Sequence, residues 1–175
     1  MDGHSDPALC DFIGSFKLLL LYSSQSGNTR KLAEAVFDAL PGEKARYPVD
    51  EAPDPSGYDL IAVGFWLMKG KPDPKSSEYL GKIGEKPLFL FATHGAGAGS
   101  DHAINGMELA KSLASGSDIR GTYSCQGEVN PKILEKASKK PEPPVWLADA
   151  PDAEGHPNDA DIEALNYRLA ELFVG

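Results

Sequence analysis

The chain has 175 residues, 41% of them hydrophobic and 25% charged, with a net charge of −9. This length predicts one domain with a substantial core. The charge argues against nucleic acid, whose phosphates need clustered Lys and Arg, and against anionic membrane surfaces.

The longest apolar run, Leu18 to Tyr22, falls far short of the about 20 residues that a membrane-spanning helix needs. The first 15 residues are acidic at Asp2, Asp6 and Asp11 and lack the basic and apolar regions of a signal peptide. The expectation is a cytoplasmic protein with an N-terminal extension over residues 1–15 and one domain over 16–175. Cys10 and Cys125, with no CxxC spacing, read as free thiols rather than a disulfide or zinc framework.

In chain order, FKLLLLY (Phe16 to Tyr22) is a short apolar run between turn residues and predicts a buried strand. From Thr29, the positions Leu32, Ala33, Val36, Phe37 and Leu40 follow helical spacing until Pro41-Gly42 stops them. KARYPV (Lys44 to Val49) predicts an edge strand, where Pro48 is tolerated. DLIAVGF (Asp59 to Phe65) predicts a second buried strand, followed by a Lys- and Pro-rich loop and a helix over SSEYLGKI.

PLFLFAT (Pro87 to Thr93) predicts the third buried strand, and HGAGAGSDH a glycine-rich loop into a helix ending near Leu113. IRGTYSC (Ile119 to Cys125) predicts a fourth buried strand, and two helices close the chain over ILEKASKK and DIEALNYRLAELF. The segment Pro141 to Pro157, rich in Pro and acids, predicts a surface loop. Strands alternating with helices imply an α/β fold: a doubly wound parallel sheet of five strands with helices on both faces. Ligands of such sheets bind beyond the carboxyl ends of the strands. The loops after Tyr22, Phe65 and Thr93 are therefore expected at one crevice.

The first of these loops reads SSQSGNT. Ser24, Ser26 and Thr29 bring hydroxyls, Gln25 and Asn28 bring amides, and Gly27 permits a close backbone approach. No carboxylate interrupts them, and the free N–H groups of the following helix point the same way. The pattern predicts an anion site for a phosphate. GxxxxGK[ST] is absent, so it is no nucleoside-triphosphate loop.

Ser24-Gln25-Ser26-Gly27-Asn28-Thr29 resembles the phosphate loop of the flavodoxins, S/T-x-T/S-G-N-T, and the element order resembles that family from Phe16 onward. The resemblance implies bound FMN, a 2-1-3-4-5 sheet order and electron transfer to a partner protein. It places an aromatic over the flavin in GFWLMKG: Trp66 first, Phe65 next, with Leu67 beside them and Gly70 able to permit a peptide flip near the flavin N5.

In THGAGAGSDH the aromatic usual in that family is missing. Thr93 ends the strand. His94 either replaces the aromatic or leaves that ring face open, and the amides of Gly95 and Gly97 are candidates for the pyrimidine oxygens. GAGAGS read as a dinucleotide loop would place Ser100 at its third glycine, which disfavours it. Lys69, Lys71, Lys75, Lys82 and Lys86 outnumber the acids between Trp66 and Lys86, which predicts a less negative flavin potential than in an acidic flavodoxin.

GFW with a nearby KG, then THGA, SDHA, CQG and HPN-x-x-D (His156 to Asp161), resembles the small flavodoxin-like proteins found with bacterial bilirubin reductases. That narrower resemblance implies a reductase partner acting on a tetrapyrrole. Two other readings stay open: an FMN-dependent NAD(P)H:quinone-type oxidoreductase, and a non-redox module binding a phosphate ligand or partner. No residue stands out as a general acid or base.

Overall fold

The computed structural model describes residues 16–173; the expected N-terminal extension, with Cys10, lies outside the described residues. In chain order the elements are β1 (Lys17–Tyr22), α1 (Asn28–Ala39), β2 (Glu43–Pro48), β3 (Leu60–Met68), β4 (Lys71–Pro72) and α2 (Pro74–Leu80). They continue as β5 (Pro87–His94), α3 (Asp101–Leu113), β6 (Asp118–Gln126), α4 (Pro131–Ser138), a 3-10 segment (Val145–Ala153) and α5 (Asp159–Glu171). The sheet runs β2-β1-β3-β5-β6 with every neighbouring pair parallel. With the two-residue β4 set aside, this is the expected 2-1-3-4-5 order.

The continuous apolar strands follow from a sheet covered on both faces, with side chains alternating between the two layers. Leu19 and Leu21 join Ile61, Val63, Phe65, Leu88 and Leu90 beneath α2 and α3. Leu18 and Leu20 join Ala62, Phe89 and Phe91 beneath α1 and α5, whose Leu32, Val36, Leu165 and Leu169 complete that layer. Gly64 is required at the centre: a Cβ there would lie 2.3 Å from Cε2 of Phe91.

Three elements differ from the sequence expectation. First, β3 does not end at Phe65 but runs to Met68 and folds back on β4, pairing Leu67 with Pro72 and Met68 with Lys71. Lys69 (φ 54°) and Gly70 (φ 77°) form the two-residue turn, and both take the positive φ that tight hairpins demand. Second, β6 is not a buried strand. It is an edge with a neighbour on one side only, and only Cys125 and Gln126 at its end are buried. Third, the segment expected as a surface loop contains the 3-10 turns of Val145–Ala153, with Ala150 and Ala153 buried. Pro151 within it lacks the N–H that an α-helix would use.

The order in which strands are added reverses between the parallel neighbours β1 and β3, which places a crevice beyond their carboxyl ends. The loops after β1, β5 and β6 and the β3–β4 hairpin converge there. Among the described residues no helix is long and apolar enough to cross a membrane.

Candidate cofactor site

A cavity of about 920 Å³ opens at this point, near the top of the size range for small-molecule and cofactor sites. Its lining includes Gln25, Ser26, Asn28 and Thr29 from the loop after β1 and the start of α1, Trp66 and Leu67 from β3, Thr93 and His94 from the end of β5, and Gly95 just after it.

The loop after β1 is built on Gly27, at the N-cap of α1, with φ 92° and ψ −8° and no side-chain cap. That left-handed geometry is why a glycine stands here. Ser24 Oγ accepts the amide protons of Gly27 (3.1 Å) and Arg30 (3.3 Å), so its oxygen ties the loop together.

Asn28 and Thr29 are also committed to the protein. Asn28 Nδ2 donates to the Glu128 carbonyl at 2.9 Å, and Gly127 leaves room for it, since a Cβ there would meet Nδ2 at 2.6 Å. Thr29 is buried; its Oγ1 donates to the Phe65 carbonyl (3.3 Å), and Thr93 Oγ1 then donates to Thr29 Oγ1 (2.9 Å). The first turn of α1 is thereby knitted to β3 and β5. The six consecutive donors read from the sequence divide into two groups. Ser24, Asn28 and Thr29 shape the cradle, while exposed Gln25 and Ser26 and the free backbone N–H groups of the helix start remain for an anion.

The remaining candidates fall on both sides of the cavity wall. Phe65 is fully buried in the core beneath α2 and α3 and does not line the cavity, because it follows Val63 in the strand alternation. Gly70 serves the hairpin turn. The Gly97 amide, expected for a ligand oxygen, donates to Asp149 Oδ2 at 3.1 Å in this structure. Trp66 does line the cavity, held by Asp73, a buried residue whose Oδ1 accepts the Trp66 amide (3.3 Å) while Oδ2 caps α2 at Ser76 (3.2 Å).

His94 is 5% exposed. Its Nδ1 lies 3.1 Å from the Ala96 carbonyl, which fixes Nδ1 as the protonated nitrogen and leaves Nε2 buried without a partner among the described residues. Burial lowers its pKa to about 4 despite that hydrogen bond, so the ring is neutral at pH 7.

Sequence reasoning missed Trp146, which enters from the 3-10 segment and supplies a second indole to the cavity. Gly95 lies beside it: a Cβ there would be in ordinary contact with Trp146 Cε3 at 3.5 Å but would crowd Val129 Cγ2 at 2.8 Å. The available signal was a tryptophan inside a stretch with no apolar periodicity to bury it.

HPN-x-x-D builds a support. Asp161 Oδ2 lies 2.6 Å from His156 Nδ1 and accepts the Asn158 amide at 2.8 Å in a capping box for α5. The His156 carbonyl accepts Glu128 N–H at 2.8 Å. The chain His156–Glu128–Asn28 thus connects α5 to the loop after β1.

The cavity combines a carboxylate-free anion cradle, two indoles, a buried acceptor nitrogen and an apolar wall. A flat aromatic ring carrying a phosphate tail fits such a site, and FMN is such a molecule.

This chain belongs to the flavodoxin family: the family model described as "Flavodoxin domain" matches residues 19–169. The "Flavodoxin-like domain-containing protein BilS" of Clostridioides difficile is 30% identical over 158 residues, covering 83% of this chain and 90% of that protein. The protein of the same name from Clostridium symbiosum is 28% identical over 138 residues, covering 69% and 73%. Among solved structures, a short-chain flavodoxin associated with a non-canonical PDU bacterial microcompartment superposes with a TM-score of 0.61 at 12% identity, covering 90% of this chain and 96% of that one. The flavodoxin of Streptococcus pneumoniae TIGR4 gives 0.58 at 13%, covering 89% and 97%. At these identities the structural matches speak for the fold.

Proposed function

We propose that this protein binds FMN and carries electrons to a partner reductase. The observation that carries the reading is the carboxylate-free loop at the start of α1, opening into a cavity with an indole on β3 and a second on the 3-10 segment. Bound FMN would supply one- and two-electron redox chemistry.

In this reading Gln25, Ser26 and the first amides of α1 hold the phosphate. Ser24, Asn28 and Thr29 fix the loop, and Trp66 and Trp146 cover the ring and exclude water. His94 stays neutral and keeps a lone pair for a hydrogen-bond donor. The absence of an evident general acid or base favours a carrier over an enzyme. The motifs shared with flavodoxin-like proteins found with bacterial bilirubin reductases make a tetrapyrrole reductase the first partner to try.

The size of the cavity supports a second reading, an FMN-dependent NAD(P)H oxidoreductase, because it leaves space for a further planar ring. One experiment separates the two. The FMN-loaded protein is mixed anaerobically with NADH or NADPH, and the flavin absorbance is followed. A carrier stays oxidised until a separate electron donor such as dithionite is added. Rapid bleaching by the nicotinamide alone replaces the carrier with the oxidoreductase.

A further inference from the structure

The charge of the cavity mouth is opposite to that of the chain. Among the described residues lining the cavity, Lys69, Lys136 and Lys140 bring three ammonium groups against the single carboxylate of Glu128, in a protein of net charge −9. No ion pair is found for any of the three among the described residues; the neighbouring Lys139 is the one tied to Glu135, at 2.9 Å. Lys69 owes its place to the positive-φ hairpin turn that ends β3. Ile133 and Lys136 stand three apart on α4 and share a face.

Met68, 38% exposed, and Ile133, 41% exposed, place apolar surface among these lysines. Exposed apolar side chains ringed by one sign of charge mark a docking surface, and charge complementarity steers and registers the partner. Redox encounters use small interfaces of this kind.

We propose that the mouth of this cavity docks a redox protein whose contact face has an apolar centre rimmed by Asp and Glu. The partner closes over Met68 and Ile133 while its carboxylates meet Lys69, Lys136 and Lys140. This deepens the electron-carrier reading and rests on it for the partner's role, but the sign of the mouth can be measured without any flavin.

The chain has two tryptophans, Trp66 and Trp146, and both line the cavity. Their fluorescence in the flavin-free protein therefore samples the mouth. Quenching by iodide and by caesium is measured, each normalised to N-acetyltryptophanamide. At an ionic strength of about 0.1 M the Debye length is about 10 Å, so distant acids are screened while the local lysines still act.

Iodide is expected to be favoured over caesium at least twofold, and the Lys136→Glu/Lys140→Glu double variant to reverse the preference. Preference for caesium in the unaltered protein, as its net charge alone would give, overturns the proposal. In the second arm the FMN-loaded protein is reduced with dithionite and mixed with an acidic rubredoxin or with basic cytochrome c. Each ferric acceptor takes one electron and becomes ferrous, the flavin is oxidised, and its protons pass to water. The double variant is expected to slow rubredoxin several-fold and to speed cytochrome c.

Unchanged rubredoxin rates beside an iodide preference would mean a site for small anions only and would overturn the protein partner. Self-association through this face, seen by sedimentation and lost in the double variant, would put a second copy there instead. Failure to take up FMN would remove the carrier reading, while the quenching arm still decides the charge of the mouth.

Discussion

Gly27 offers a perturbation in which strain and charge can be separated. Its φ of 92° and ψ of −8° suit glycine, and a Cβ there would meet nothing within 4 Å. Gly27→Ala therefore introduces backbone strain without a clash, about 1–2 kcal/mol, or roughly 5- to 30-fold in FMN affinity if the loop must keep this shape to bind. Gly27→Asn tolerates left-handed backbone and should cost less.

Gly27→Asp has nearly the shape of Asn but adds a carboxylate to a loop that has none. Two unit charges 4 Å apart repel by about 1 kcal/mol in bulk water and about 4 kcal/mol near a protein surface. Beside a phosphate, Asp is therefore expected to weaken FMN roughly 5- to 1,000-fold beyond Asn. Titrating FMN fluorescence with each flavin-free variant at several salt concentrations reads this directly, and the Asp–Asn gap should narrow as salt rises. Equal affinities for the two variants at every ionic strength would refute an anion site in this loop.

Trp66→Ala and Trp146→Ala should each weaken FMN by about 1–3 kcal/mol, the range for an aromatic stacked on a flat base, measurable in the same titration. Gly64→Ala places a methyl against the Phe91 ring at 2.3 Å and should lower stability by about 3 kcal/mol in urea unfolding. His94 has a folded pKa of about 4, lowered from 6.5 by burial. The unfolded chain therefore binds the proton first, and stability is full above about pH 6.5 and falls as pH drops through 4. The loss is on the order of 3 kcal/mol relative to a His94→Gln variant, read from melting curves between pH 7 and 4; parallel pH profiles would contradict it. Asp73→Ala removes the cap of α2 and the acceptor for Trp66 N–H, and should cost about 1–2 kcal/mol.

The sheet was legible because its strands, covered on both faces, are runs such as Leu18–Leu21 and Ile61–Val63 that no amphipathic helix would carry. The loop after β1 was legible as a set of residue types, but not in its division of labour. That Asn28 and Thr29 point to Glu128, Phe65 and Thr93 depends on contacts 36 to 100 residues away along the chain.

The sequence ranks Trp66 ahead of Phe65 as a flavin-stacking candidate, but it keeps Phe65 in play until the strand is known to continue past both. Alternation then sends Phe65 into the core, and the hairpin is set by positive φ at Lys69 as well as Gly70. Trp146 escaped because a 3-10 segment has no apolar period to read. The bond from the Gly97 amide to Asp149, a residue 52 positions distant, was equally out of reach of the sequence.

The most direct measurement compares FMN with riboflavin, which lacks only the phosphate, by calorimetric titration of the flavin-free protein. FMN should bind with one-to-one stoichiometry and at least 100-fold more tightly than riboflavin. Equal affinities, or no heat from either, would remove the phosphate cradle and the electron-carrier reading built on it.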